Sequence, residues 1–229
     1  MDQSAPFPDQ PGSVRTVGIL GAGRVGTAVA RQALPGGYAV ALGTAKPPED
    51  IELIVSFTAP GAVAKTAEDV IAGADLVILA IPLSHYRDLA RHDFGGRIVI
   101  DAMNYWPPVD GTMAEFEGEE SSSEVVQRLL PDARIVRALN HIGYHELEEN
   151  ALPPGAAGRQ ALALAGDDPA ARAAVAEFLD RLGYDPVDAG PLRAARFFGA
   201  GFPLFGTRLD RAEMTAALHA LRPAVAAGA

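Results

Sequence analysis

The sequence predicts an α/β fold: a doubly wound, mostly parallel sheet with a small C-terminal α/β extension. Three observations point there. Short apolar runs of strand type alternate with helical segments, beginning with Thr16-Val17-Gly18-Ile19-Leu20. The stretch Leu76-Val77-Ile78-Leu79-Ala80-Ile81 is apolar throughout, as suits a strand buried on both faces of a parallel sheet. The first strand also runs directly into Gly21-Ala22-Gly23-Arg24-Val25-Gly26 and then a helix of small residues, the G-x-G-x-x-G arrangement of a Rossmann-type βα turn.

Each glycine of that turn has a mechanical role. Gly21 permits the tight turn, Gly23 lets the backbone approach a pyrophosphate, and Gly26 lets helix and strand pack closely. The helix N-terminus presents free N–H groups and the positive end of its dipole to the phosphates. Gly21, Ala22, Gly23, Arg24, Val25 and Gly26 are therefore expected to bind a dinucleotide.

The second strand, 38–42, follows the Pro35-Gly36-Gly37 turn, and its end selects the nucleotide. An NAD site places Asp or Glu about 20 residues beyond the first glycine to bind the ribose 2′-hydroxyl. Here the strand ends in Gly43-Thr44-Ala45-Lys46. No carboxylate repels a 2′-phosphate, Thr44 offers a hydroxyl and Lys46 a charge, so NADP is expected. Residues 47–57 open with Pro-Pro-Glu-Asp, a helix start that tolerates proline. Residues 62–64 read as a short strand, and Thr66 as the cap of a brief helix. Asp75 reads as a turn residue before the central strand. Ile81 and Pro82 end that strand, at the edge where open sheets bind ligands. Ser84-His85-Tyr86 opens a helix over this edge. His85 joins the expected cofactor contacts, although a surface or capping role also fits it.

Residues 97–102 form the next strand. The irregular stretch 103–121 holds Trp106, Pro107-Pro108 and a cluster of Glu115, Glu117, Glu119 and Glu120 that reads as solvated. Loops of this length are usually functional or mobile, and Met103-Asn104-Tyr105-Trp106 is expected to line the ligand crevice. Ser122 or Ser123 is the expected cap of a helix over 124–130. The strand 134–139 delivers Asn140-His141-Ile142-Gly143-Tyr144-His145 to the same edge, as a substrate-facing turn without metal-ligand spacing. A strand over 160–165 leads to a helix with Val175, Phe178, Leu179 and Leu182 on one face, then a short strand at 185–188. Residues 193–209, with Phe197, Phe198, Phe202 and Phe205 among glycines, read as a helix that closes a flat pocket or meets a second subunit, plain core being the alternative. Residues 211–229 read as a final helix and tail. The expected organisation is a disordered tail at 1–13, a nucleotide-binding domain at 14–158, and an extension at 159–229 that completes the substrate pocket and offers a dimer contact.

The chain has no cysteine, which excludes disulfides, thiolate zinc sites and a thiol nucleophile and is compatible with the expected cytoplasmic location. No run approaches the roughly 18 apolar residues of a membrane span, and the first residues lack a signal peptide's basic and apolar regions. A formal charge of −10 argues against nucleic acid as a partner. The expected partner is a small-molecule cofactor or acceptor. Any anion must be met locally by Arg, Lys or backbone N–H groups.

Four motifs occur in order: Gly21-Ala22-Gly23-Arg24-Val25-Gly26, Ala80-Ile81-Pro82 with His85, Ala138-Leu139-Asn140, and Asp188-Ala189-Gly190-Pro191-Leu192. Together, from about Arg15 to Phe205, they make the chain resemble the F420-dependent NADP oxidoreductases, whose fold also occurs in the cytoplasmic domain of metalloreductases. The resemblance implies a Rossmann domain with a smaller C-terminal extension, often a homodimer. It implies NADP on the glycine loop and hydride transfer between NADPH and a deazaflavin, coenzyme F420, stacked on the nicotinamide. By position, Thr44 matches the family's hydroxyl contact to the 2′-phosphate. The neighbouring arginine of the family is Ala45 here, so Lys46 must substitute. Asn140 stands where some members have histidine, with His141 next; these two are the catalytic candidates.

Transfer between two ring systems asks the protein mainly for orientation. The crevice expected to supply it consists of Ile81, Pro82, Asn140 and Ile142, with Arg137, Arg193 or Arg196 meeting an anionic tail. Two alternatives stay open. One is an NADPH-dependent reductase of a flavin, carbonyl or imine, for which His141, Tyr144 or His145 would donate a proton. The other is an NADP-binding redox sensor without turnover.

Overall fold

The computed structural model describes residues 14–221. The expected tail at 1–13 and the end of the last segment, 222–229, lie outside the described residues. Eight strands form one sheet: β1 (Thr16–Leu20), β2 (Ala39–Gly43), β3 (Val63–Ala64), β4 (Leu76–Leu79), β5 (Ile98–Asp101), β6 (Arg134–Arg137), β7 (Ala161–Gly166) and β8 (Asp185–Asp188). Their order is β3-β2-β1-β4-β5-β6-β7-β8. All neighbours are parallel except β6 and β7, which pair antiparallel at Val136↔Gly166 and Arg137↔Ala165. The C-terminal extension thus continues the sheet. The order reverses between β1 and β4, so a crevice opens at their carboxyl ends.

The helices are α1 (Arg24–Ala33), α2 (Pro48–Thr58), α3 (Ala67–Gly73), α4 (Pro107–Asp110), α5 (Ser122–Leu129), α6 (Glu146–Glu149), α7 (Pro169–Arg181) and α8 (Arg211–Leu221). Three 3₁₀ segments, Leu83–Arg91, Ala114–Phe116 and Leu192–Phe198, complete the description. The period-two alternation of β4 divides the core. Leu76 and Ile78 join Val29 and Phe178 on the α1/α7 face, while Val77 and Leu79 join Val70 and Val126 on the α3/α5 face. Each such side chain contributes about 1.5–3 kcal/mol when fully buried. A third cluster, Phe198, Met214 and Leu218, seals the extension beneath α8.

Local chemistry explains most boundaries. The Thr66 hydroxyl accepts from Asp69 N–H at the start of α3, as expected. At α5 the cap is Ser121, in a reciprocal box with Glu124, and not Ser122 or Ser123. Ser123 instead donates to Asp101 at 2.6 Å, a buried bond that takes it out of capping. The helix expected over 193–209 stops at Phe198, because Gly201 and Gly206 adopt φ of 83° and 67° and Pro203 lacks an N–H. The acid cluster is not merely solvated: Glu115 takes Arg87 and Tyr86, Glu117 takes Tyr105, and Glu120 takes Arg128. Asp75 ties the start of β1 to that of β4, accepting from the N–H groups of Arg15 and Thr16 and the Thr16 hydroxyl. Among the described residues, no helix is long and apolar enough to cross a membrane.

Candidate functional site

A cleft of about 490 Å³ lies at the carboxyl ends of β1, β2 and β4. That volume falls within the roughly 300–1,000 Å³ of small-molecule sites. It brings together Gly21, Ala22, Gly23, Thr44, Lys46, Ile81, Pro82 and His85 of the expected set. It adds Ile51 and Ile54 from α2, which the sequence offers only as an apolar helix face, and Asp88, Leu89 and His92 from the 3₁₀ segment, which sequence reasoning did not single out. Their signal was weak, since apolar spacing on α2 shows a buried face without showing what it faces.

The glycine turn has the mechanics its spacing predicts. Gly21 has φ +124° and donates its N–H to Gly43 O at 2.8 Å; a Cβ there would lie 2.3 Å from Ala80 O. At Gly26 a Cβ would fall 1.9 Å from Gly21 O, so this glycine sets how closely α1 approaches the turn. Gly23 differs: a Cβ there would meet no heavy atom within 4 Å. Gly23 is also the N-cap of α1, with no side-chain capping bond and no acidic residue in the first turn. The first N–H groups of α1 therefore keep their donor capacity beside an open backbone, the requirement for an anion at a helix N-terminus.

Among the described residues Lys46 is the one Lys or Arg that lines the cleft, and Thr44 Oγ1 accepts from Lys46 N–H at 3.1 Å, which shapes the end of β2. The lining carboxylate, Asp88, is occupied by Arg91 at 3.1 Å and faces His85 at 3.5 Å. Arg24, Val25, Gly26 and Ile142 do not line this cleft. Arg24 instead donates to the Tyr144 hydroxyl at 3.2 Å, linking the glycine turn to the segment after β6. Ile142 is half-buried and packs on the main core.

Asn140 and His141 correct the expectation of a crevice-facing pair, since the core holds both. Asn140 is 3% exposed, and its amide donates to Phe198 O at 2.7 Å. His141 is 1% exposed, and its Nε2 accepts from Ala163 N–H at 3.0 Å. Burial, followed by the repulsion of Arg137, pushes the His141 pKa down to about 3. The ring is neutral at physiological pH, with its proton on Nδ1 toward Asn140 Oδ1. Both residues therefore pin the antiparallel β6–β7 seam to the turn at Phe198. Leu139, φ +64°, begins this pinned turn and is the non-glycine residue in the left-handed region among the described residues.

Beneath it lies a feature the sequence reading missed. Asp101 and Arg137 end β5 and β6 in direct register, and Asp101 Oδ2 sits 3.1 Å from Arg137 Nη1 with both side chains buried. Arg137 Nη2 donates to Asn104 Oδ1 at 2.9 Å, and Asn104 Nδ2 donates to Asn140 O at 2.7 Å. Burial lowers the Arg137 pKa from its ordinary range, opposed by Asp101. The available signal was a charge of opposite sign closing each of two apolar strands.

Residues 16–105, which carry the glycine turn and the whole wall of the cleft, match the family described as NADP oxidoreductase, coenzyme F420-dependent. The chain belongs to this family. Like other solved structures of the Rossmann type, a hypothetical protein of Sinorhizobium meliloti, SMa0349, superposes with a TM-score of 0.75 at 30% identity, over 86% of this chain and 96% of that one. A putative F420-dependent NADP-reductase of Arthrobacter sp. FB24 gives 0.66 at 25% identity, over 87% and 100%. Among curated proteins, metalloreductase STEAP3 of Rattus norvegicus is 26% identical over 198 residues, 86% of this chain. The chain spans 38% of the length of that relative. The buried Asp101–Arg137 pair lies at the next two strand ends beyond the cleft.

Proposed function

We propose that this member of the family exchanges a hydride between NADPH and a deazaflavin of coenzyme F420 type. The observation that carries the nucleotide half is the pairing of the open Gly23 backbone at an uncapped helix start with a β2 end that bears Thr44 and Lys46 and no carboxylate. These residues fit the nucleotide. The N–H groups of α1 would hold the pyrophosphate, and Thr44 and Lys46 the 2′-phosphate. Ile51, Ile54 and Leu89 would exclude water from the adenosine. Bound NADP supplies the hydride chemistry, and the chain supplies orientation.

The family description and the name of the Arthrobacter relative support the deazaflavin half. A carbonyl or imine acceptor would need a proton donor; of His141, Tyr144 and His145, His141 cannot be that donor, which leaves Tyr144, bonded to Arg24 of the glycine turn, and His145 to that reading. His141 is neutral, buried, and its Nε2 already faces the Ala163 N–H. Ile81 and Pro82 shape the edge from which an acceptor ring reaches the cofactor. A homodimer is part of this reading and is checked by light scattering.

Anaerobic mixing of the purified chain with NADPH and oxidised deazaflavin tests the proposal. Bleaching of the deazaflavin band at the rate of NADPH loss is the expected result. Oxidation of NADPH by flavin or ferric acceptors but not deazaflavin would replace the acceptor, and no oxidation with any of them would leave a nucleotide-binding sensor.

A further inference from the structure

The molecule holds a second cavity that shares no lining residue with the dinucleotide cleft. It measures about 280 Å³ and lies between the 105–122 segment and the Leu192–Phe198 turn with its continuation to Phe202. Its wall includes Arg137, whose side chain is 2% exposed. The Nη1 atom of that guanidinium is ion-paired with Asp101 yet has no hydrogen-bond partner. Asp101 is also engaged elsewhere, accepting the Ser123 hydroxyl at 2.6 Å and Met103 N–H at 3.0 Å. A second guanidinium, Arg196, lines the same cavity and lies 5.8 Å from the centroid of the Phe202 ring. Tyr105 and Phe116 add aromatic wall. The two carboxylates that face the cavity are both spoken for. Glu117 accepts from the Tyr105 hydroxyl, and Glu120 binds Arg128 through both oxygens at 2.6 Å.

Two arginines, one of them buried with its Nη1 short of a hydrogen bond, line a space walled by rings. That donor set matches an oxyanion, and the rings match the body that carries it. We propose that this cavity binds the phosphate or carboxylate of a second ligand, whose aromatic or apolar body lies along Tyr105 and Phe202. That this ligand is the electron acceptor rests on the reading above; the affinity of the cavity for an oxyanion does not. Of the three arginines expected to meet an anionic tail, the fold brings Arg137 and Arg196 to one cavity and leaves Arg193 outside its lining.

Calorimetric titration of the full chain, saturated with NADPH, tests this with phenyl phosphate, benzoate and neutral benzyl alcohol as probes. Saturable binding of an anionic probe and none of benzyl alcohol is expected. Arg196→Gln should weaken that binding roughly tenfold or more, as loss of a charge-assisted bond does, and leave NADPH affinity within about twofold. Phe202→Ala, at a partly exposed ring, should weaken it less. Arg137→Lys adds a stronger test where it folds; Arg196→Gln keeps the proposal testable where it does not. Tighter phenyl phosphate identifies a phosphate ligand, and tighter benzoate a carboxylate one. No saturable binding, equal binding by Arg196→Gln, or an anionic probe that binds only without NADPH would each overturn the proposal. Probe binding without deazaflavin turnover would sink the hydride reading and keep the cavity; the converse would do the opposite.

Discussion

Gly23 and Gly26 belong to one short motif, yet alanine should act on them in opposite ways. Gly23→Ala places its methyl in open space, so thermal stability should stay within about 0.5 kcal/mol while NADPH affinity falls, because the methyl occupies the approach to the helix N-terminus. Gly26→Ala drives a methyl into Gly21 O and should cost about 1–3 kcal/mol in urea unfolding as well as binding. His141 makes a different prediction. Its pKa of about 3 lies below the ordinary 6.5, so below that value the unfolded chain binds more protons than the folded one. Its contribution is complete above pH 6.5 and is lost as pH falls toward about 3, by about 1.4 kcal/mol per unit. Urea unfolding at about pH 5 should therefore show roughly 2 kcal/mol less stability than at about pH 7.5, and His141→Gln should remove most of that difference. The His141 type and position were legible before folding, but its burial was not. A histidine after a strand reads as an edge residue until β7 is seen to cover it.

At the scale of elements, three strand ends matter: those of β2, β5 and β6. In the proposed function the end of β2 selects the nucleotide through Thr44 and Lys46, so Lys46→Ala should reduce the preference for NADPH over NADH in kcat/KM by roughly tenfold, the loss of one charge-assisted contact. This end was readable from the sequence because its distance from the first glycine is fixed by one βαβ unit. The ends of β5 and β6 set the floor beside it. Asp101→Asn removes one partner of a buried pair and strands the other charge, so it should destabilise the chain by about 3–5 kcal/mol in urea unfolding. That pairing was not readable, because the register that sets Asp101 opposite Arg137 is a relation between two segments distant in the chain, and no local spacing encodes it.

For the whole molecule, the sheet order places the cleft where the strand order reverses, and NADPH binding to the folded chain should raise its stability by about 2.7 kcal/mol at a hundredfold excess over Kd, read as a shift in thermal unfolding. Some features were determined by sequence alone because they are local. The apolar run of β4, the glycine turn, the Thr66 helix start and the missing carboxylate after β2 each lie within a few residues of what they control. The antiparallel return of β7 onto β6, the burial of Asn140 and His141, the capture of Ser123 by Asp101 and the meeting of Arg137 with Arg196 were decided only by tertiary structure. Each depends on which distant segment comes to lie alongside, and a polar side chain becomes part of the core or part of a site according to the partner that desolvates it.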